Sequence, residues 1–265
     1  MTFERFRQLE YHDEANGGFL RYNLFVPEGA PDGLPLVLFM GDATTVGPDA
    51  TLPLRHCLGA RVWVDPALQA DHPCIVLVPQ FSRVAVNDAW ETTPEVPLVL
   101  GLLAQVVREY RADRNHLFVT GQSMGGMLAL HFNAIRPHLF AASLFVACQW
   151  DPAVLAPLAN KRFCYVAAAG DQKASNGMKQ LQKVLLDNGS PGYAYSTLDA
   201  RSPSLNVHVG AMILHRLESR RIFLTFEKGT VLPPDCTDPE HMYSFDCAYR
   251  LTSLHKWLLA PPRKR

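Results

Sequence analysis

His116-Leu117-Phe118-Val119-Thr120-Gly121-Gln122-Ser123-Met124-Gly125 passes from an apolar, β-prone run through a glycine-flanked serine into a helical pattern over residues 124–136. Strand, sharp turn, helix is the order a nucleophile elbow requires. A serine on so tight a turn sits in strained backbone, and its glycine neighbours lack the Cβ atoms that would hold strand and helix apart. The hydroxyl is then presented outward, and the first free N–H groups of the helix point where that oxygen would attack. The Met124 N–H is thereby expected to be one oxyanion donor, and acyl-transfer or hydrolytic chemistry is the first hypothesis.

The flanks agree with this reading. Met127, Leu128, Leu130 and Phe132 form a buried helical face, and Arg136-Pro137 stops the helix. Upstream, residues 20–26 alternate and end at Pro27, while residues 36–40 and 75–79 are continuously apolar, as strands covered on both faces are. Residues 96–110 read as a helix with Leu98, Leu102, Val106 and Tyr110 on one face. Downstream, residues 142–147, 163–168, 193–198 and 222–226 read as strands, and residues 152–158, 174–186 and 207–217 as helical. The stretch Gly189-Ser190-Pro191-Gly192 reads as a loop. A final helix is expected to be capped by Ser244, with an apolar stripe of Cys247, Leu251, Leu254 and Leu258. The alternation predicts an α/β fold over 1–265 as a single domain, with a mostly parallel sheet, helices on both faces, no large lid, and reactive groups at the carboxyl ends of the strands.

A serine hydroxyl is a poor nucleophile near neutral pH and needs a base, most often histidine, oriented by a carboxylate. In this type of fold the chain order is serine, acid, histidine. Asp171 follows the strand at 163–168 through Ala169-Gly170, where a carboxylate can accept an imidazole N–H, and it is the expected acid. Its alternative role is to cap the next helix. Asp151 and Asp199, also near strand ends, are held in reserve. His241 lies between the last strand and the last helix and is the expected base, whereas His208 and His215 sit at helical positions and His255 reads as a surface residue of the final helix.

The second oxyanion donor is expected from the loop Gly41-Asp42-Ala43-Thr44-Thr45, as the Asp42 N–H or its neighbour. A carboxylate facing a developing oxyanion would repel it, so the Asp42 side chain must turn away. Gln122, Trp90 and Trp150, with Gln149, fall near strand ends or in the loop at 81–94 and are the candidate substrate contacts, although Trp150 also suits a core position.

Composition narrows the partners. The 265 residues carry 25 Lys+Arg against 25 Asp+Glu, and the only basic cluster is Arg263-Lys264-Arg265, a solvated tail, so nucleic acid is not an expected partner. The charged start, Met1-Thr2-Phe3-Glu4-Arg5-Phe6-Arg7, lacks a long apolar run, so neither signal peptide nor membrane anchor is expected and the protein is read as cytoplasmic. Six cysteines, at 57, 74, 148, 164, 236 and 247, lack close paired spacing and read as free thiols, although Cys236 and Cys247, which flank His241, could pair. Ten histidines show no recognised ligand spacing, so no metal and no other cofactor is expected.

Gly121-Gln122-Ser123-Met124-Gly125-Gly126, Ala169-Gly170-Asp171 and Glu240-His241-Met242-Tyr243-Ser244-Phe245-Asp246-Cys247-Ala248-Tyr249, ending in Trp257-Leu258, together resemble the α/β-hydrolase superfamily. More narrowly, they resemble its branch of predicted peptidases and esterases related to polyhydroxybutyrate depolymerases and feruloyl esterases. The resemblance runs from Tyr22-Asn23-Leu24-Phe25-Val26-Pro27 to the last helix and implies Ser123 as nucleophile, Asp171 as acid and His241 as base. Those enzymes usually carry His-Gly and a small residue after the early strand, where this chain has Met40-Gly41-Asp42.

The expected activity is that of a serine carboxylesterase acting on small-molecule esters of small acyl or aromatic acids, because an alkoxide leaves more readily than an amine. A peptidase or amidase using the same three residues is the alternative. A non-catalytic module that binds a ligand in an inherited pocket is the third reading, and it gives no chemical reason to keep all three groups.

Overall fold

The computed structural model describes residues 2–14, 17–29, 31–190, 192–215 and 220–260. In chain order its strands are β1 (Arg7–Asp13), β2 (Gly18–Phe25), β3 (Leu36–Met40), β4 (Ile75–Gln80), β5 (Leu117–Gln122), β6 (Ala142–Val146), β7 (Phe163–Ala168), β8 (Ala194–Leu198) and β9 (Arg221–Phe226). They form one sheet in the order β1-β2-β4-β3-β5-β6-β7-β9-β8. The pairs β1–β2 and β2–β4 are antiparallel, and every later pair is parallel.

The helices are α1 (Leu52–His56), α2 (Leu58–Arg61), α3 (Pro66–Asp71), α4 (Glu95–Glu109), α5 (Met124–Ile135), α6 (Gln172–Asp187), α7 (Leu205–His215), α8 (Glu240–Tyr249) and α9 (Thr252–Leu259). Strands β3, β4, β5, β6 and β7 are buried at every position, so their unbroken apolar runs follow from being covered on both faces. Phe39, Phe118, Phe132, Phe145, Phe163, Phe223 and Phe226 are among the largest side chains closed to solvent. At roughly 2 kcal/mol for each such side chain, their burial contributes much of what holds the layers together.

Elements with a strong apolar period lie within a residue or two of the positions read from sequence. Those without one do not. β1 is exposed along most of its length and buries only Tyr11, so its sequence Arg-Gln-Leu-Glu-Tyr-His-Asp carries no core pattern and was not expected. The short helices α1 and α3 carry a proline in their first turn, Pro53 and Pro66, and the segment at 152–158 forms two 3-10 turns, Pro152–Val154 and Ala156–Asn160, instead of a helix.

The expected single C-terminal helix is two. Ser244 lies inside α8, where its Oγ donates to the His241 carbonyl at 2.7 Å rather than capping a helix start. The break at Arg250-Leu251 is held from outside: Asn206 on α7 donates its Nδ2 to Arg250 O at 3.2 Å, and its Oδ1 accepts from Thr252 N at 2.9 Å. A side chain remote in sequence thus satisfies the backbone groups that the break frees. His255, expected at the surface, is 5% exposed. It packs against Trp63 with ring centroids 5.0 Å apart, and its Nε2 donates to Tyr249 O at 2.9 Å.

All six cysteines are free: Cys57, Cys74, Cys148 and Cys164 are buried, and Cys236 and Cys247, which do not pair, are half-buried. Among the described residues no helix is long and apolar enough to cross a membrane. The basic tail Arg263-Lys264-Arg265, Leu217 at the end of one expected helix, and Pro191 lie outside the described residues.

Candidate active site

The turn between β5 and α5 carries Ser123 at φ 50° and ψ −118°, a conformation that L residues seldom adopt. Two backbone hydrogen bonds hold it there: Ser123 N donates to Val146 O on β6 at 3.0 Å, and Met127 N donates to Ser123 O at 2.9 Å. The glycines allow the close approach. A Cβ at Gly121 would stand 2.4 Å from the Gly125 carbonyl, and a Cβ at Gly125 would stand 2.0 Å from Met40 O and 2.7 Å from Gly41 O. The elbow is therefore packed backbone to backbone against the carboxyl end of β3. Met124 opens α5, so its N–H has no acceptor within the helix.

Three of the predicted residues meet here. Ser123 Oγ lies 2.8 Å from His241 Nε2, and His241 Nδ1 lies 2.5 Å from Asp171 Oδ2. An ionised carboxylate can only accept, so the imidazole proton sits on Nδ1 and the Nε2 lone pair faces the serine hydroxyl. His241 is the second residue of α8 rather than a loop residue, and its ring stands edge-on to Phe245 at 5.0 Å. The acid side chain is nearly closed, at 5% exposure, against 34% for the histidine. Asp171 is also the N-cap of α6: its Oδ1 accepts from Ala174 N at 3.2 Å. Capping and orienting the histidine use different oxygens of one carboxylate, so the two roles weighed from sequence coexist. Asp151 caps the 3-10 turn Pro152–Val154 through Ala153 N, and Asp199 accepts from Arg201 N. His208 lies on α7 within 3.4 Å of Ser196 on β8, and the His215 side chain is outside the described residues.

The Asp42 side chain turns to neighbours within the protein. It is 3% exposed; Oδ1 accepts from Thr44 N at 2.8 Å and from the Thr44 hydroxyl, and Oδ2 accepts from Gln122 Nε2 at 2.8 Å. Cys57 Sγ stands 3.7 Å from Oδ2, and burial, with the nearby Asp42 charge, pushes the thiol up to about 12, so it stays a neutral donor. Gln80 at the end of β4 donates to Thr45 O at 2.9 Å and Gly47 O at 3.1 Å, which pins the far side of the same loop.

Of the candidate substrate contacts, Gln122 is 3% exposed and bonded to Asp42, its Oε1 buried with no partner among the described residues. Trp150 is also 3% exposed, with ring centroids 4.8 Å from His131 and 5.6 Å from Trp90. Burial lowers the pKa of His131, so it is a neutral neighbour to these rings. Trp90 is half-buried and keeps a positive φ of 66°. It belongs to a loop fastened by Ala85 N to Met124 Sδ at 3.2 Å and by Asp88 to Lys173 at 2.6 Å. Gln149 Nε2 stands 3.5 Å from Asp88 Oδ1.

No protein-family model and no curated protein matches the sequence. Among solved structures, a thermostable esterase superposes with a TM-score of 0.79 at 22% identity, covering 99% of this chain and 64% of that one. The chain thus spans just under two thirds of that protein's length. The feruloyl esterase module from Clostridium thermocellum, solved as an S954A mutant with sinapinate, gives 0.63 at 13% identity, covering 95% and 88%. The S-formylglutathione hydrolase of Staphylococcus aureus gives 0.53 at 14% identity, covering 96% and 98%. At these identities the likeness speaks for the arrangement of strands and helices.

Proposed function

We propose that this chain, which has the α/β-hydrolase fold, is a serine hydrolase that cleaves small carboxylic esters through an acyl-enzyme. The observation that carries the reading is the continuous hydrogen-bonded series Ser123–His241–Asp171 at the end of the sheet where the elbow stands. In the proposed reaction Ser123 Oγ attacks the ester carbonyl carbon while His241 Nε2 takes the hydroxyl proton. The carbonyl π electrons move to oxygen, and the Met124 N–H and the Asp42 N–H are proposed to hold the oxyanion. Collapse breaks the bond to the alkoxy oxygen, which leaves with the proton from His241. Water, deprotonated by the same nitrogen, then attacks the acyl-enzyme and releases the acid and Ser123.

The side chain of Asp42 supports its proposed backbone role. With both carboxylate oxygens occupied by Thr44 and Gln122, the negative charge is held by donors instead of facing the developing oxyanion. Trp90 is the candidate for contact with the acyl group, since of the two tryptophan candidates it keeps an exposed share, on a loop fastened to Met124 through Ala85. The esterase neighbours favour an ester over an amide.

The test is turnover of p-nitrophenyl acetate and butyrate by the wild type, Ser123→Ala and His241→Ala, with fluorophosphonate labelling in parallel. Loss of about 10⁴-fold or more in kcat with either variant, and labelling of the wild type at Ser123 alone, is the expected result. Near-native turnover by His241→Ala would overturn the assignment, and anilide turnover without ester turnover would favour the amidase.

A further inference from the structure

Asp171 ends the loop that leaves β7, and His241 opens α8 after the loop that leaves β9. β7 and β9 run parallel in register to Ala168↔Phe226, with a last rung from Ala169 N to Phe226 O at 2.9 Å. Beyond that rung the sheet no longer sets the spacing between the loop that carries the acid and the loop that leads to the base. Glu240 spans the gap: its Oε2 accepts from Gly170 N at 2.8 Å, and its Oε1 accepts from Gly229 N at 2.5 Å. Gly170 immediately precedes Asp171, and Glu240 immediately precedes His241. Glu240 is 5% exposed, and a Cβ at Gly170 would lie 2.3 to 2.6 Å from its carboxyl atoms, so the glycine leaves space for this group.

We propose that Glu240 is a positioning residue that sets the Asp171–His241 alignment by clamping the backbone of both loops, an inference that rests on the serine-hydrolase reading. Each carboxylate oxygen takes one backbone N–H, and such charge-assisted bonds are about twice as strong as neutral ones. A carboxylate can accept at both ends. A glutamine of the same size accepts at one and presents its own N–H₂ to a donor at the other. Glu240→Gln therefore keeps the volume and releases one loop. Misplacement by about 1 Å is enough to cost up to about 10²-fold in rate, and it falls on proton transfer rather than on substrate binding.

The experiment compares wild type, Glu240→Gln, Glu240→Asp and Gly170→Ala. The last displaces the carboxylate without removing it. Rates are counted per active site labelled by fluorophosphonate, and the downfield proton NMR resonance of His241 Nδ1–H is followed, assigned by its absence in His241→Ala. We expect kcat to fall between about tenfold and a hundredfold in Glu240→Gln and Gly170→Ala with KM unchanged, and the resonance to move or broaden. Glu240→Asp, which keeps the charge but reaches one loop less well, should fall between them and the wild type. Lower stability with unchanged kcat and an unchanged resonance would make Glu240 purely structural and overturn the inference. If Glu240→Gln does not fold, the other two variants decide. If the wild type fails to turn over esters, the proposed reaction falls, while the resonance comparison still decides whether Glu240 aligns the pair.

Discussion

Gln122 Nε2 donates to Asp42 Oδ2 at 2.8 Å, joining the residue before the elbow serine to the loop after β3 across 80 positions of sequence. The contact explains how a buried aspartate is tolerated in the loop beside the elbow. Its charge is taken up by donors inside the protein, and the loop backbone is held against the turn.

Asp42 variants test that account. In Asp42→Asn, the new Oδ1 can keep both Thr44 donors while Nδ2 faces Gln122, whose amide turns over to present Oε1. This variant should stay close to the wild type in urea unfolding and retain most ester turnover. Asp42→Leu leaves the buried Gln122 amide donor unpaired and should lose about 2 kcal/mol, with kcat falling as the loop loosens. Equal stability of the two variants would show that the contacts of Asp42 with Gln122 and Thr44 together contribute nothing.

Ser123 offers a measure of strain. At φ 50° and ψ −118°, a non-glycine residue carries roughly 1–3 kcal/mol, while a glycine loses about 0.5–1 kcal/mol more chain entropy on folding. Ser123→Gly and Ser123→Ala both remove the hydroxyl and its bond to His241, so their difference isolates the backbone. The glycine variant should be more stable by about 1 kcal/mol in urea titration. An alanine variant of equal or greater stability would mean that the turn stores no strain.

His255 predicts a pH dependence of stability. Burial, opposed by its hydrogen bond to Tyr249 O and by the Asp65 charge, lowers its pKa from 6.5 to about 4. Below pH 6.5 the unfolded chain takes up a proton that the folded chain refuses until near pH 4. Stability is therefore lost as pH falls through that window, by on the order of 3 kcal/mol in total. Urea midpoints at pH 7, 5.5 and 4 should decline less steeply in His255→Gln, which cannot charge. The same slope in both proteins would assign the acid sensitivity to other groups.

The strands and long helices were legible because burial on both faces forces unbroken apolar runs and burial on one face forces a helical period. β1 was not, since a solvent-exposed edge places no demand on its side chains. The split between α8 and α9 was not, since the groups that stabilise it belong to Asn206 on another helix. His255 was misread because its helix position was judged without the neighbour, Trp63, that covers it.

The residues of the site divide in the same way. By itself the order of apolar runs, glycines and polar residues determined that a serine would stand on a strand-to-helix turn, with an aspartate and a histidine following later strands, because each demand is local to its segment. Only the tertiary structure decided that Ser123, His241 and Asp171 meet within hydrogen-bond distance, that Asp42 turns its charge to Gln122 and Thr44, and that Glu240 joins two loops. The contacts of Ser123 with His241, His241 with Asp171, Glu240 with Gly170 and Asp42 with Gln122 join segments separated by 118, 70 or 80 residues, and strand register and helix packing set the distance between such segments.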